Sequence, residues 1–320
     1  MDEFDFINSI KQPTYRQSSV IKGIGDDAAV IRQTTQDTVT AVDTFVEGVH
    51  FTNVTMEPFH IGYRAVAANV SDLAAMGATP AFYLVSIVIP SSWNKEELNQ
   101  IYKGMHKMAS IHNMDLIGGD TVSGKELTIS VTVIGFADKD KARYRSHAAA
   151  GDIVFVTGTL GDSRAGLHIL ENPGTYKDTD YFLNRHRLPE HRVSFSEKLG
   201  SLKRVSLNDV SDGIANEANE IAEASKVSLH IEENSIPVSK QFYQFPDKLQ
   251  YEWKLFGGED FELLGTVPKH DWERVITAAE GTNTPVTKIG YVSNQTKSDV
   301  YIERDGRKKP LFKQGYTHLK

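Results

Sequence analysis

Cysteine is absent from all 320 residues. That one absence excludes disulfides, thiolate-bound zinc, iron–sulfur clusters and thiol nucleophiles, so any chemistry has to come from oxygen and nitrogen. No apolar run approaches the roughly 18 residues that a membrane-spanning helix needs. The opening MDEFDFINSI is acidic, where a secretory leader is basic and then apolar. A cytoplasmic protein with no membrane partner is expected. An excess of positive charge is missing as well: 42 acidic against 35 basic side chains give a formal charge of −7, which leaves no broad field to hold nucleic acid. Two local basic clusters, Lys139 to Arg145 and Arg304 to Lys309, read by default as solvated loops.

What is present is enough for two cores. A chain of this length is long for a single one, and 40% of its residues are apolar. Periodicity predicts strands over 37–43 and 81–89 and helices over 60–76 and 96–112. Residues 126–137 alternate Leu127, Ile129, Val131, Val133 against Thr128, Ser130, Thr132, Ile134, the pattern of a sheet strand. The polar stretch 138–151 reads as a linker and divides the chain into residues 1–147 and 148–320. In the second part strands are predicted over 152–157, 227–231, 262–267, 286–292 and 299–303, with helices over 163–170, 215–225 and 271–280. Both halves are mixed α/β, an α+β arrangement of two related domains.

A short internal repeat carries the strongest organisational signal. Asn69-Val70-Ser71-Asp72 recurs as Asp209-Val210-Ser211-Asp212, and Gly118-Gly119-Asp120 recurs as Gly257-Gly258-Glu259-Asp260. The two motifs lie 48 positions apart in the first half and 47 in the second, which predicts equivalent loops meeting at one site.

Familiar phosphate fingerprints fail here. Gly23-Ile24-Gly25-Asp26-Asp27-Ala28 fits a dinucleotide loop by letter, but its central carboxylates would repel a pyrophosphate and a strand follows in place of a helix. In Gly119-Asp120-Thr121-Val122-Ser123-Gly124-Lys125, Glu126 stands where a P-loop needs Ser or Thr, again with a strand after it; Ser123-Gly124-Lys125 reads as a hairpin turn. No Gly-x-Ser-x-Gly elbow or His-Glu-x-x-His occurs. His186 and His191 are separated by Pro189 and cannot share a helix face to hold zinc.

Aspartates remain. Asp43 ends an apolar strand and needs a partner. Asp72 lies near the C-terminus of a helix that Gly77 ends, where a carboxylate costs about 0.3–1 kcal/mol unless a cation offsets it. Asp120 follows two glycines, and Asp209 and Asp212 flank Ser211 before a helix. Singly, Asp212 and Asp162 read equally well as helix caps and Asp120 as a turn former. Together they predict oxygen-ligated magnesium completed by phosphates, and hence phosphoryl transfer.

These motifs resemble the thiamine-monophosphate kinases along the whole chain. The resemblance rests on Gly23–Ala28, Val42-Asp43-Thr44 with Gly48-Val49-His50-Phe51, Asn69–Ala78, Leu116–Thr121, Val156–Ser163, Val210–Gly213 and Gly257–Leu263. It implies the paired mixed-sheet domains of the aminoimidazole ribonucleotide synthetase-like fold, and phosphorylation of thiamine phosphate by ATP to thiamine diphosphate, by direct in-line transfer. By motif, Asp27, Asp43, Asp72, Asp120, Asp209 and Asp212 would hold several magnesium ions, with Asp72 and Asp212 catalytic. Gly119, Asp120, Arg145 and Ser211 would contact ATP, and His50, Glu259 and Tyr316 would line the thiamine phosphate site. A homodimer through the first-domain sheets is implied too. Ala41-Val42 departs from the family's Ser-Thr, so a ligand from there must be a backbone carbonyl or water. Selenophosphate synthetases and the hydrogenase-maturation dehydratases need a cysteine or selenocysteine that this chain lacks. An aminoimidazole ribonucleotide synthetase and a silent nucleotide-binding scaffold stand as the alternatives.

Overall fold

A computed structural model describes residues 14–22, 30–31, 35–294 and 299–315. The loop bearing Asp26 and Asp27, and Tyr316, lie outside the described residues. The chain forms two compact units: residues up to Leu73 with Ala78–Asp140, and Ala74–Gly77 with Lys141 onward. Among the described residues no helix is long and apolar enough to cross a membrane.

In the first unit, short strands β1 (Val20–Lys22) and β2 (Val30–Ile31) pair with each other. A four-stranded sheet follows, built from β3 (Asp37–Val46), β4 (Thr79–Pro90), β5 (Asp115–Gly124) and β6 (Thr128–Ala137) in the order β3-β6-β4-β5. Only β4 and β5 run parallel. The alternation in β6 works as expected: Ile129, Val131 and Val133 are buried, and the intervening hydroxyls face outward. Helices α1 (Pro58–Ala75) and α2 (Lys95–Ile111) accompany the buried face, where Leu73 of α1 reaches Gly135 of β6.

Local chemistry sets the helix ends. Pro58 opens α1, where its missing N–H is no loss. Gly77, at φ +70, closes it through Gly77 N–H to the Ala74 carbonyl at 3.0 Å and Ala78 N–H to that of Leu73 at 2.9 Å. Asn94 caps α2 in a capping box with Glu97, a feature worth about 1 kcal/mol. The helices touch backbone to backbone: a Cβ on Gly62 would strike the Ile101 carbonyl, and one on Gly104 that of Phe59.

The second unit is built on a seven-stranded mixed sheet. Its strands are β7 (Ile153–Thr157), β8 (Ser206–Val210), β9 (Ser228–Glu232), β10 (Glu262–Val267), β11 (Val286–Ser293), β12 (Val300–Arg304) and β13 (Arg307–Pro310), in the order β13-β12-β9-β11-β7-β10-β8. All five residues of β7 are buried, as expected of a strand covered on both faces. One side packs Val154, Val156, Leu264 and Ile289 against Ile214, Ala218 and Ile221 of α6 (Ile214–Ser225). On the other, Phe155 meets Phe195 and Trp272, from α5 (Val193–Lys198) and α8 (Trp272–Glu280). A satellite aromatic core joins Ala165 and Ile169 of α3 (Asp162–Glu171), Phe182 of α4 (Thr179–Arg187) and Trp253 of α7 (Asp247–Phe256) with Phe242 and Phe245.

Several sequence expectations need correcting. The repeated motifs do not occupy equivalent elements: Val70-Ser71-Asp72 lies inside α1, whereas Val210 ends β8 and Ser211-Asp212 form the bend after it. Gly118–Asp120 sits within β5, but Gly257–Asp260 is a loop before β10. Matched spacing in sequence is therefore not a repeat in structure. Asp120 is a strand residue and not a turn former. The bend after Gly124 is no hairpin, because β5 pairs with β4 and β6 lies beyond it. Within the basic cluster, Arg143 is buried and donates to the Leu199 and Leu202 carbonyls at 2.7 and 3.1 Å.

Candidate active site

In the first unit, Asp43 is half-buried on the inner-facing side of β3, and burial raises its carboxyl above the usual range. Asp120 is exposed on β5 and accepts from Thr121 N–H at 3.0 Å. The register aligns Asp43 with Val131, Val85 and Gly119, and aligns Asp120 with Ser86, Ser130 and Thr44. The two carboxylates therefore stand on opposite faces, three strand spacings or about 14 Å apart, and do not meet. Gly119 is explained by packing, since a Cβ there would strike the Val85 carbonyl. Asp72 is half-buried in the last turn of α1, a turn that contains no basic residue. His50 closes the turn after β3 by accepting from Val46 N–H through Nδ1 at 3.1 Å, and its ring stacks on Phe45 at 5.2 Å. A backbone N–H can only donate, so the neutral ring carries its proton on Nε2.

The second unit gathers more charge around β8. Asp209 is buried in that strand, and Ser211 and Asp212 follow at its end. Asp212 does not cap α6; Gly213, at φ +104, occupies that position without a side-chain bond. Instead Glu217 reaches back from the first turn and accepts from Asp212 N–H at 2.8 Å. Burial, with the charges of Asp209, Glu220 and Asp212, pushes the Glu217 carboxyl up to about 9, against the pull of that hydrogen bond. Arg145, half-exposed, donates through Nε to Asn208 at 2.8 Å and lies 3.2 Å from Glu220. Gly315 packs on the Asp212 carbonyl, so the chain just ahead of Tyr316 runs over this bend.

The Gly257–Asp260 loop is pinned to the same bend. Glu259 N–H donates to the Ser211 carbonyl at 2.7 Å and Phe261 N–H to that of Val210 at 3.0 Å. Both residues hold positive φ, +67 and +52, at a cost of about 1–3 kcal/mol each for side chains of this kind. Asp260, between them, is fully buried and accepts from Gly161 N–H at 2.6 Å and Ser163 N–H at 3.1 Å. It is thus Asp260, and not Asp162, that caps α3. Asp162 takes hydroxyl bonds from Thr159, Tyr181 and Ser239 at 2.6, 2.7 and 2.7 Å. Burial, opposed chiefly by Arg185, pushes the Asp260 carboxyl up to about 7. Beside it Glu262 accepts both Arg192 Nε at 2.6 Å and Nη2 at 2.7 Å, plus Arg185 Nη2 at 3.0 Å. This closed ion cluster occupies the helix N-terminus, which leaves no phosphate site there.

Among the described residues, no three carboxylate or imidazole groups converge in a geometry that would hold a metal ion. The donor chemistry nonetheless fits magnesium around β8. Every candidate there is an oxygen, and Glu217 accepts at both of its oxygens, from Asn208 Nδ2 and from Asp212 N–H, among the further carboxylates Asp209, Asp212 and Glu220. A set so short of positive charge is what a hard cation offsets.

The geometry can be set against known proteins. The halves match the AIR synthase related protein N-terminal domain over residues 25–137 and its C-terminal domain over 149–303. Across its whole length the chain is 49% identical to the thiamine-monophosphate kinase of Bacillus subtilis (strain 168), with 100% of each chain covered. The chain belongs to the thiamine-monophosphate kinase family. It is an enzyme of the phosphotransferase class. The crystal structure of thiamine-monophosphate kinase from Stenotrophomonas maltophilia K279a matches with a TM-score of 0.83 and 31% identity over 95% of each chain. AaThiL complexed with AMPPCP and TMP matches with a TM-score of 0.79 and 30% identity, covering 99% of this chain and 97% of that one.

For this kinase family member, sequence reasoning missed Asn208, Glu217 and Glu220 beside Arg145, and the ion cluster of Asp260, Glu262, Arg185 and Arg192. A signal did exist for the first group. Asn208-Asp209 lies between Leu207 and Val210 in a strand, and a polar pair buried at mid-strand has to be satisfied by something.

Proposed function

We propose that this chain transfers the γ-phosphoryl group of ATP to thiamine phosphate, giving thiamine diphosphate and ADP, the last step in making that cofactor. The full-length identity with the Bacillus subtilis kinase carries the reading, and a relative bound to an ATP analogue together with TMP supports it. The attacking group is the substrate's own phosphate. Its second pKa of about 6 leaves it mostly dianionic at neutral pH, so the chain needs no general base and transfer proceeds directly, in line. The chain's task is to bring two polyanions together.

Arg145, Gly119, Asp120 and Ser211 bind ATP, and His50, as a donor through Nε2, lines the thiamine phosphate site with Glu259 and Tyr316. Asp27, Asp43, Asp72, Asp120, Asp209 and Asp212 would hold magnesium ions, which when bound would neutralise charge on the phosphate oxygens. Because Asp43 and Asp120 stand on opposite faces of one sheet, they would hold different ions. Asp72 and Asp212 are the two whose loss stops the reaction.

The assay uses pure protein, ATP and magnesium with either thiamine phosphate or formylglycinamidine ribonucleotide as acceptor. Thiamine diphosphate should form, and the second compound should be left unchanged. Turnover of the ribonucleotide alone would make the chain a synthetase, and ATP binding without turnover of either would make it a silent scaffold.

The chain also works as a homodimer through the outer face of the four-stranded sheet. That face carries Thr40, Val42, Thr44, Ser130, Thr132 and Leu84 with Asp120 at one edge, and Val42 is 60% exposed on it. A face with no charge other than Asp120 at its edge, and with Val42 exposed, suits a partner surface. Val42→Glu should halve the mass in sedimentation; an unchanged mass would exclude this face.

A further inference from the structure

Arg145 and Asp212 are far apart in sequence, yet one buried amide ties them together. Asn208 sits at mid-strand in β8, where a polar amide has low strand propensity and is costly to bury unless both its ends are bonded. Its Oδ1 accepts from Arg145 Nε at 2.8 Å. Its Nδ2 donates to Glu217 Oε2 at 2.9 Å and to Glu220 Oε2 at 3.1 Å. Glu217 Oε1 then accepts from Asp212 N–H at 2.8 Å, and Glu220 closes the ring on Arg145 Nη1 at 3.2 Å. The backbone of Arg145 is anchored as well, through its carbonyl, by the Ser206 hydroxyl at 3.0 Å and that of Ser225 at 2.6 Å.

We propose that Asn208 and Glu217 are positioning residues for phosphoryl transfer, fixing the Arg145 guanidinium and the Asp209–Asp212 bend in one register. The inference rests on ATP being the phosphoryl donor and is indifferent to which molecule accepts. The direction of each bond dictates the residue types. Position 208 has to accept from an arginine at one end and donate to a carboxylate at the other, which among side chains of this size only an amide does. Position 217 has to accept at both oxygens, which a carboxylate does. Neither residue touches the reacting atoms; each acts through Arg145 or through Asp212.

Reversing the polarity of the central bond tests this. Asn208→Asp keeps the acceptor for Arg145 but sets carboxylate against carboxylate at positions 217 and 220. Glu217→Gln alone sets one amide donor against another. Together, N208D/E217Q restores a donor opposite an acceptor at the central bond: the amide introduced at position 217 donates to the carboxylate introduced at position 208, and its carbonyl oxygen still accepts from Asp212 N–H, while the partly exposed Glu220 keeps its pairing with Arg145 and turns away from position 208. Binding of magnesium–ATP is measured by calorimetry, with thermal midpoints and the KM values for ATP and for thiamine phosphate alongside. Each single variant should weaken magnesium–ATP binding by at least tenfold, and the double variant should return to within about threefold of the unaltered protein. The ATP KM should rise more than that of the acceptor.

Single variants that bind magnesium–ATP normally, or that lose binding only in proportion to a lowered thermal midpoint with no recovery in the double variant, would overturn the positioning role. If the unaltered protein binds ATP but does not phosphorylate thiamine phosphate, the acceptor assignment fails while the cycle still reads out. If it binds no ATP, both fail.

Discussion

Replacing Glu262 by Gln should cost about 3–5 kcal/mol of folding stability, the usual penalty for removing one partner of a buried ion pair. Glu262 is fully buried and faces two guanidinium groups, both largely buried themselves. Gln keeps the shape and one acceptor but removes the charge, leaving Arg185 and Arg192 to hold two positive charges out of water. Thr157 Oγ1, which donates to Glu262 at 2.7 Å, would have to turn its hydroxyl wherever the amide nitrogen faces it. Urea denaturation of the variant and the parent at neutral pH measures the difference, and a loss below about 1 kcal/mol would show the pair to be weakly coupled.

The pH dependence follows from the same contacts. Burial by itself would raise the Glu262 carboxyl, but Arg192 and Arg185 outweigh it and hold the group below its ordinary 4.5. Its contribution is therefore fully present above about 4.5 and is lost as pH falls through the lower folded value. The parent should lose stability in that acidic window, and the Gln variant should show a flatter profile there. A variant as steep as the parent would assign the acid sensitivity to other carboxyls.

Asp72→Asn should lower turnover by at least about a hundredfold, the scale set by removing one preorganised electrostatic group from a transition state, with stability unchanged or slightly raised. The two effects separate because Asp72 lies in the last turn of α1, a turn with no basic residue of its own. In that place a negative charge opposes the helix dipole by about 0.3–1 kcal/mol. Steady-state rates at saturating ATP and a thermal melt on the same sample decide the matter. A near-normal rate would remove Asp72 from the reaction, and a collapsed melt would make it structural.

Much of the fold was legible because period and punctuation agree. The alternation in β6 and the Gly77 stop each name their element from a few residues, and the expected strand over 262–267 is β10. Other elements were not legible. β8 is buried throughout, as β7 and β10 are, but three of its five residues, Ser206, Asn208 and Asp209, are polar, so it shows neither alternation nor an apolar run. Helices α4 and α7 bury two residues each and otherwise read as charged loop. β5 was hidden by Gly118-Gly119-Asp120, whose glycines serve a tight strand neighbour.

Which of the candidate site residues come together was not legible in the sequence. Asp209, Asp212 and Arg145 come together through Asn208 and Glu217, neither of which belongs to a motif. Asp43 and Asp120 share a sheet without sharing a face, because whether two strand residues meet depends on strand order and register, which one sequence does not reveal. The repeat misled for a related reason: Val-Ser-Asp suits both a helix interior and a strand end, so short identity at matched spacing carries no information about conformation.

Direct transfer between two phosphates is the centre of the account, and the stereochemistry at the transferred phosphorus tests it. With ATP made isotopically chiral at its γ-phosphorus and thiamine phosphate as acceptor, the terminal phosphoryl group of the thiamine diphosphate formed should carry the label with inverted configuration. Retention would mean two displacements through a phosphorylated enzyme, and label released as inorganic phosphate with the acceptor unchanged would contradict the assigned reaction.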